Sequence, residues 1–171
     1  MSRASLRPLV LTGGPGVGKS TTARLLAGTR DRAAVVDVDD VRQLVVAGHA
    51  APWDGAEGAA QQRLGVRNAC ALATSFLATG FDVVVADVLT PETAKVYRDL
   101  LQGPLLVRIV VEPDEARRRA ALRSWSLTDE EFHALHRADS EHPPEVDMTL
   151  VADHLDPDAQ AAAVAAAWCA G

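Results

Sequence analysis

Gly13 is followed, four residues on, by Gly18-Lys19-Ser20, which completes the spacing G-x-x-x-x-G-K-[ST]. Glycines at those positions let backbone N–H groups close around phosphate oxygens without Cβ clashes, and a helix opening inside the loop adds its positive dipole end. A lysine here reaches the β- and γ-phosphates and a serine hydroxyl ligates Mg²⁺. The candidate nucleotide-binding set is therefore Gly13, Gly14, Pro15, Gly16, Val17, Gly18, Lys19, Ser20 and Thr21. A chance glycine-rich turn is the competing reading, but the apolar "PLVLT" before the loop and the helix-period residues after it supply the strand-loop-helix setting the motif requires. Guanine readers carry [NT]-K-x-D, and the only lysine besides Lys19 is Lys95, in "AKVY". Most regulatory GTPase readings are thereby removed.

Carboxylates supply the second set. Asp37, Asp39 and Asp40 cluster after one apolar run, and Asp87 follows "VVVA". In an open parallel sheet, ligands sit beyond the carboxyl ends of the strands, so both groups are expected near the phosphate loop. Asp87 reads as an acid delivered by an apolar strand to the metal's water shell, with helix capping as the alternative. The first cluster has three open tasks, namely metal ligation, N-capping and general base chemistry. Capping explains one aspartate, Asp40 being the expected cap, but not three like charges beside a polyphosphate. With a helix starting near Asp39, Arg42 and Gln43 fall three and four positions on, over the same face. Asp39, Arg42 and Gln43 are the candidate acceptor-binding residues; a capped helix with an exposed ion pair is the alternative.

These groups need a scaffold, and the chain alternates apolar runs with helix-period segments throughout, the pattern of an α/β domain with a parallel sheet. Strands are expected over 8–12, 33–37, 81–87, 104–111 and 147–153. Helices are expected over 18–27, 40–46, 59–79, from Pro91, over 113–123, after Thr128, and from Pro157. The residues at 47–58, rich in Gly, Ala and Pro, read as a mobile loop. On the long helix, Leu64, Ala71, Leu72, Ser75 and Phe76 share one face. Thr90-Pro91 and Thr128 with Glu131 carry helix-start signatures. Five parallel strands with helices on both faces form one domain over residues 1–171, with a lid-like segment around 117–137. In that segment Arg119 and Arg123 lie four apart on one helical face, where they could neutralise charge on a transferred phosphoryl group, with Arg137 in reserve. Ion pairing to Asp114 and Glu115 is the alternative. The histidines are scattered, with no metal spacing; His49 and Trp53, and Arg67 and Asn68, read as surface residues that could touch an acceptor.

The 171 residues carry a net charge of −6, which argues against a large nucleic-acid footprint. No apolar run is long enough to span a membrane. Cys70 and Cys169 lack metal-ligand spacing and read as reduced thiols of a cytoplasmic protein.

Gly13 to Thr21, the stretch "DVDDVRQ" and "VVVADVLTPE" together resemble the small P-loop kinases of the AAA_33-type group, which includes chloramphenicol phosphotransferase, the zeta toxins and polynucleotide 5′-kinases. The resemblance implies a three-layer P-loop NTPase fold with adenylate-kinase-like strand order 2-3-1-4-5, ATP and Mg²⁺ as donor and cofactor, and transfer of the γ-phosphate to an acceptor hydroxyl. In the relatives an aspartate just after the second strand is the base, and Asp39 is its match. "DDVRQ" is similar to the acceptor segment of phage-type polynucleotide kinases, whose arginine holds a 3′-phosphate, with Arg42 matching. The chain's size and its "HPPEVDMTLVAD" region look more like the chloramphenicol phosphotransferases, whose phosphate loop is a different variant. The resulting expectation is phosphorylation of a small-molecule hydroxyl (antibiotic, sugar or nucleoside-like). The alternatives are a polynucleotide 5′-hydroxyl kinase, disfavoured by charge, and a non-catalytic ATP-binding module.

Overall fold

Valine- and leucine-rich runs bounded by turns or caps form the strands of the computed structural model, in which residues 6–121 and 127–170 are described. The described elements are β1 (Leu9–Thr12), α1 (Lys19–Gly28), β2 (Ala33–Asp37), α2 (Val38–Arg42), α3 (Gly55–Ala78), β3 (Asp82–Ala86), α4 (Pro91–Leu100), β4 (Leu105–Val110), α5 (Pro113–Ala121), α6 (Asp129–Glu141), β5 (Met148–Val151) and α7 (Pro157–Cys169). All strand pairs are parallel, in the order β2-β3-β1-β4-β5. Side chains alternate across the sheet and create two apolar layers. Val10, Val83, Val85 and Leu106 pack with Val66, Ala69, Cys70, Ala73 and Tyr97 of α3 and α4. Leu9, Leu11, Val84 and Val107 pack on the other face with Ala23 and Leu26 of α1 and Val164 and Trp168 of α7. A third cluster, Val17, Ile109, Ala116, Ala120 and Phe132, fills the space beneath the phosphate loop.

Register sets where the chemistry goes. Leu11 pairs with Ala86, and Ala86 pairs with Asp37, so the carboxyl ends of β1, β2 and β3 stand level. Gly13, Asp37 and Asp87 therefore leave the sheet at one edge.

Two local expectations need correction. The helix after β2 begins at Val38 and ends at Arg42, and its cap is Asp37, whose side chain accepts from the Asp39 N–H, rather than Asp40. Each of the three aspartates satisfies the cap preference equally, so position at the strand end decides. The long helix starts at Gly55, four residues earlier than expected, and Leu64, Leu72 and Phe76 lie on its exposed side. Its buried stripe is Val66, Ala69, Cys70 and Ala73, small side chains at 3–4 spacing that allow close approach to the sheet. Within the lid-like segment, Arg119 belongs to α5 and Arg137 to α6, while Arg123 lies outside the described residues. Among the described residues no helix is long and apolar enough to cross a membrane.

Candidate active site

The phosphate loop joins β1 to α1. Gly18, the N-cap of α1, has φ +98°, a left-handed conformation natural only to glycine, and its position brings no side-chain cap to the helix. The N-terminus of α1 therefore opens at the loop with no side-chain cap, and its positive dipole end favours an anion there. Lys19 lies folded over the loop, donating from Nζ to the carbonyls of Gly13 (2.8 Å) and Gly14 (2.9 Å). Burial lowers the Lys19 pKa, against the opposing pull of Asp39, Asp87 and Asp37.

Ser20 Oγ donates to Asp37 Oδ2 at 2.7 Å, while Asp37 Oδ1 caps α2. A hydroxyl and a carboxylate at this separation are hard oxygen donors suited to Mg²⁺, which takes one or two protein ligands plus phosphate oxygens and water. Among the described residues no group of three or more His, Cys, Asp or Glu is arranged to hold a metal ion by itself. Asp87, the acid expected to support the metal through water, lines the same cleft, while the carboxylate on Ser20 is Asp37.

Asp87 is turned to other partners. Its Oδ1 accepts from Arg42 Nη2 at 2.9 Å and from the Val88 N–H at 2.8 Å, and its Oδ2 accepts from the Tyr97 hydroxyl at 2.9 Å. The Asp87 side chain is 0% exposed and that of Arg42 17%. Burial pushes the Asp87 carboxyl upward in pKa, while Arg42 and Tyr97 pull it back. Burial works against the Arg42 guanidinium as well, but Asp87 and Asp39 outweigh it and raise its pKa. Tyr97 is raised well above its ordinary value by burial and then by Asp87. Cys70, close by, is pushed up to about 12 by burial, which leaves it a neutral packing thiol.

Arg42 also reaches outward. Its Nη1 donates to Asp39 Oδ1 at 3.2 Å and its Nη2 to Gln62 Oε1 at 3.0 Å. The stem passes over Gly65, where a Cβ would come within 3.0 Å of Arg42 Cγ. Asp39 itself is open, its side chain 68% exposed. Of the expected acceptor residues, Asp39 and Arg42 are brought together. Gln43 is exposed at the end of α2 and lines no cavity near Asp39.

One cleft of about 460 Å³ unites these groups. Gly16, Gly18, Lys19, Ser20, Thr21, Asp37, Asp39 and Asp87 form its inner end, and Glu115, Arg119, Leu155, Pro157 and Gln160 its outer wall. Arg119 is held there by Glu115 (2.8 Å), Gln160 Oε1 (3.2 Å) and the carbonyls of Ala152 (2.9 Å) and Leu155 (3.2 Å). Gln160 returns to the loop, donating to Val17 O (3.1 Å) and Thr22 Oγ1 (2.9 Å). Arg137 is exposed and lines no part of this cleft. Asp37 as partner of Ser20, Gln160 and His136 escaped the sequence reading. Asp37 was visible as the first acid of "DVD", whereas Gln160 and His136 carry no local signal.

No family model and no curated protein sequence matches the chain. Solved structures resemble it in fold. A sugar kinase from Janibacter sp. HTCC2649 is 15% identical, with 96% of this chain and 95% of that chain covered at a TM-score of 0.71. The shikimate kinase of Bacteroides thetaiotaomicron is 17% identical, with coverage of 95% and 98% and a TM-score of 0.68. The APS kinase of Mycobacterium tuberculosis, solved with AMPPNP and APS, is 22% identical, with coverage of 95% and 98% and a TM-score of 0.64. The finer resemblance to the AAA_33-type group rests on its sequence motifs alone. The chain has the adenylate-kinase-like fold of the P-loop kinases, a five-stranded parallel sheet in the order 2-3-1-4-5 with helices on both faces.

Proposed function

We propose that the protein transfers the γ-phosphate of ATP to a hydroxyl of a small molecule. The observation that carries this reading is the cleft in which a phosphate loop at the N-terminus of α1 is lined together with an exposed carboxylate, Asp39, held by the half-buried Arg42. The structures of similar fold include a sugar kinase, a shikimate kinase and an APS kinase, and the last was solved with AMPPNP. Their names support a kinase reading for this site.

The loop amides and Lys19 would bind the β- and γ-phosphates, Lys19 exchanging the Gly13 and Gly14 carbonyls for phosphate oxygens. Ser20 and Asp37 would hold Mg²⁺, which supplies charge neutralisation on the polyphosphate. The outer wall, with the planar guanidinium of Arg119 between α5 and the start of α7, would receive the nucleotide base. Asp39 takes the proton of the acceptor hydroxyl as its oxygen bonds to the γ-phosphorus and the bond from that phosphorus to the β,γ-bridging oxygen breaks, releasing ADP. Arg42, with three carboxyl or amide partners already, orients Asp39 more than it grips an acceptor. That favours a small-molecule acceptor over a polynucleotide whose 3′-phosphate would need this arginine. The openness of Asp39 favours transfer over a passive ATP-binding module.

The test is transfer of label from γ-labelled ATP over a panel of antibiotics, sugars, nucleosides and 5′-hydroxyl oligonucleotides, with Lys19→Ala as control. Labelled small molecule that disappears in the control is the expected result. Label on oligonucleotides alone would select the polynucleotide reading, and no transfer to any acceptor would reject the kinase reading.

A further inference from the structure

His136 of α6 sits 8% exposed against the phosphate loop, far from it in sequence. Its Nε2 lies 2.8 Å from the Pro15 carbonyl oxygen in a buried contact. A carbonyl can only accept, so Nε2 carries the proton and the neutral tautomer is fixed. The ring closely abuts the neighbouring residue: a Cβ on Gly14 would fall 2.6 Å from Cε1 and 2.7 Å from Nδ1. Gly14 has no positive φ, so the glycine is needed for the imidazole's room and not for backbone freedom.

The imidazole does not drift with its helix. Phe132, one turn earlier, meets the ring at 4.6 Å between centroids. One turn later Asp139 is bound from β4: Arg108 Nε donates to both carboxyl oxygens (3.2 and 3.1 Å), and Nη2 donates to Oδ2 and to the Asp139 carbonyl, each at 2.7 Å. The pair is nearly buried, with 14% and 8% side-chain exposure. The sheet thus anchors α6, and α6 presents His136 to the loop. The residues it holds are those that carry Lys19, whose ammonium rests on the Gly13 and Gly14 carbonyls.

We propose that His136 is a positioning residue for nucleotide binding: its Nε2–H bond to Pro15 and its close contact with Gly14 hold the phosphate loop in the shape that receives phosphate. The consequence for ATP rests on the phosphotransferase reading above; the restraint on the loop does not. A histidine that merely fills space would be replaced without loss by a side chain of similar volume, whereas this role requires a donor at Nε2. His136→Gln keeps an N–H donor of similar reach, and His136→Leu keeps bulk without it.

The experiment measures two quantities on the native chain and both variants: hydrogen exchange of the backbone amides of residues 13–20 without nucleotide, and MgATP affinity by calorimetry. In His136→Leu, loop exchange is expected to accelerate and MgATP affinity to fall about tenfold, as for a buried carbonyl left without its donor. Exchange in the central strands stays as in the native chain, and His136→Gln recovers most of both losses. Native-like loop exchange and affinity in His136→Leu would overturn the inference, as would a His136→Gln variant as impaired as His136→Leu. A native chain that fails to bind MgATP, with loop exchange still accelerated in His136→Leu, would remove the nucleotide reading and leave the restraint standing.

Discussion

The guanidinium of Arg42 touches Asp87 inside the fold and Asp39 at its surface, with Gln62 of α3 steadying it from the side. Asp87 is held in turn by Tyr97 of α4, so a buried phenol and carboxylate and a half-buried guanidinium stand in line behind the candidate base. Two charges taken out of water are stable only when paired, and removing one partner leaves the other buried and unsatisfied. Asp87→Ala is therefore expected to lower stability in urea unfolding by about 3–5 kcal/mol. Replacing both charges, Arg42→Met with Asp87→Leu, should restore much of that stability while still lowering turnover, because Asp39 loses its restraint. A loss below about 1 kcal/mol in Asp87→Ala would mean that water already screens the pair, as at exposed ion pairs. Gly65 belongs to the same device, since a side chain there would crowd the Arg42 stem at 3.0 Å and press it to shift.

Helix α6 shows why some elements were legible in the sequence and their contacts were not. Its start could be read from Thr128 and Glu131, which form a reciprocal capping box, as Thr90 marked α4 and Asp156 marked α7. The strands were equally plain as apolar runs ending at acids or glycines. Caps and periodicity are local, so they survive in the order of residues. His136 looked like one of several scattered histidines because its partner, Pro15, is 121 residues away. The choice of Asp37 over Asp40 as cap, and of small over large residues for the buried side of α3, likewise depends on what approaches from outside the segment. Docking of α6 has a measurable pH signature. Burial holds the His136 imidazole below its ordinary 6.5, with the Pro15 hydrogen bond and then Asp139 opposing that shift and Lys19 and His133 adding to it. The unfolded chain then takes up a proton where the folded chain does not, so this contribution to stability is complete above 6.5 and is lost as pH falls through the window beneath. Urea midpoints of the native chain should drop on acidification below 6.5 more steeply than those of His136→Gln. Parallel profiles would show that His136 takes up its proton equally in the folded and unfolded chain, without the downward shift that burial imposes.

At the scale of the molecule, the strand order puts β1 at the centre with β3 and β2 on one side, and the level carboxyl ends of these three strands deliver the phosphate loop, Asp87 and Asp37 to one edge. The opposite half of the sheet, β4 and β5, carries the connections to α5, α6 and α7, which wall the outer end of the same cleft. Residues carried by both halves of one sheet thus line a single cleft, and Asp39 is among them. The phosphate loop and the acidic cluster were legible because each is a contiguous motif; the division of labour within the cluster was not, because Ser20 and Arg42 settle it through space. The most direct measurement is the rate of γ-phosphoryl transfer by Asp39→Asn to the best acceptor of the panel, taken beside its MgATP affinity. Loss of a positioned base predicts turnover reduced by roughly 10²–10⁴-fold with MgATP binding retained. Transfer by Asp39→Asn at the native rate would contradict the assignment of Asp39, and with it the proposed chemistry of the cleft.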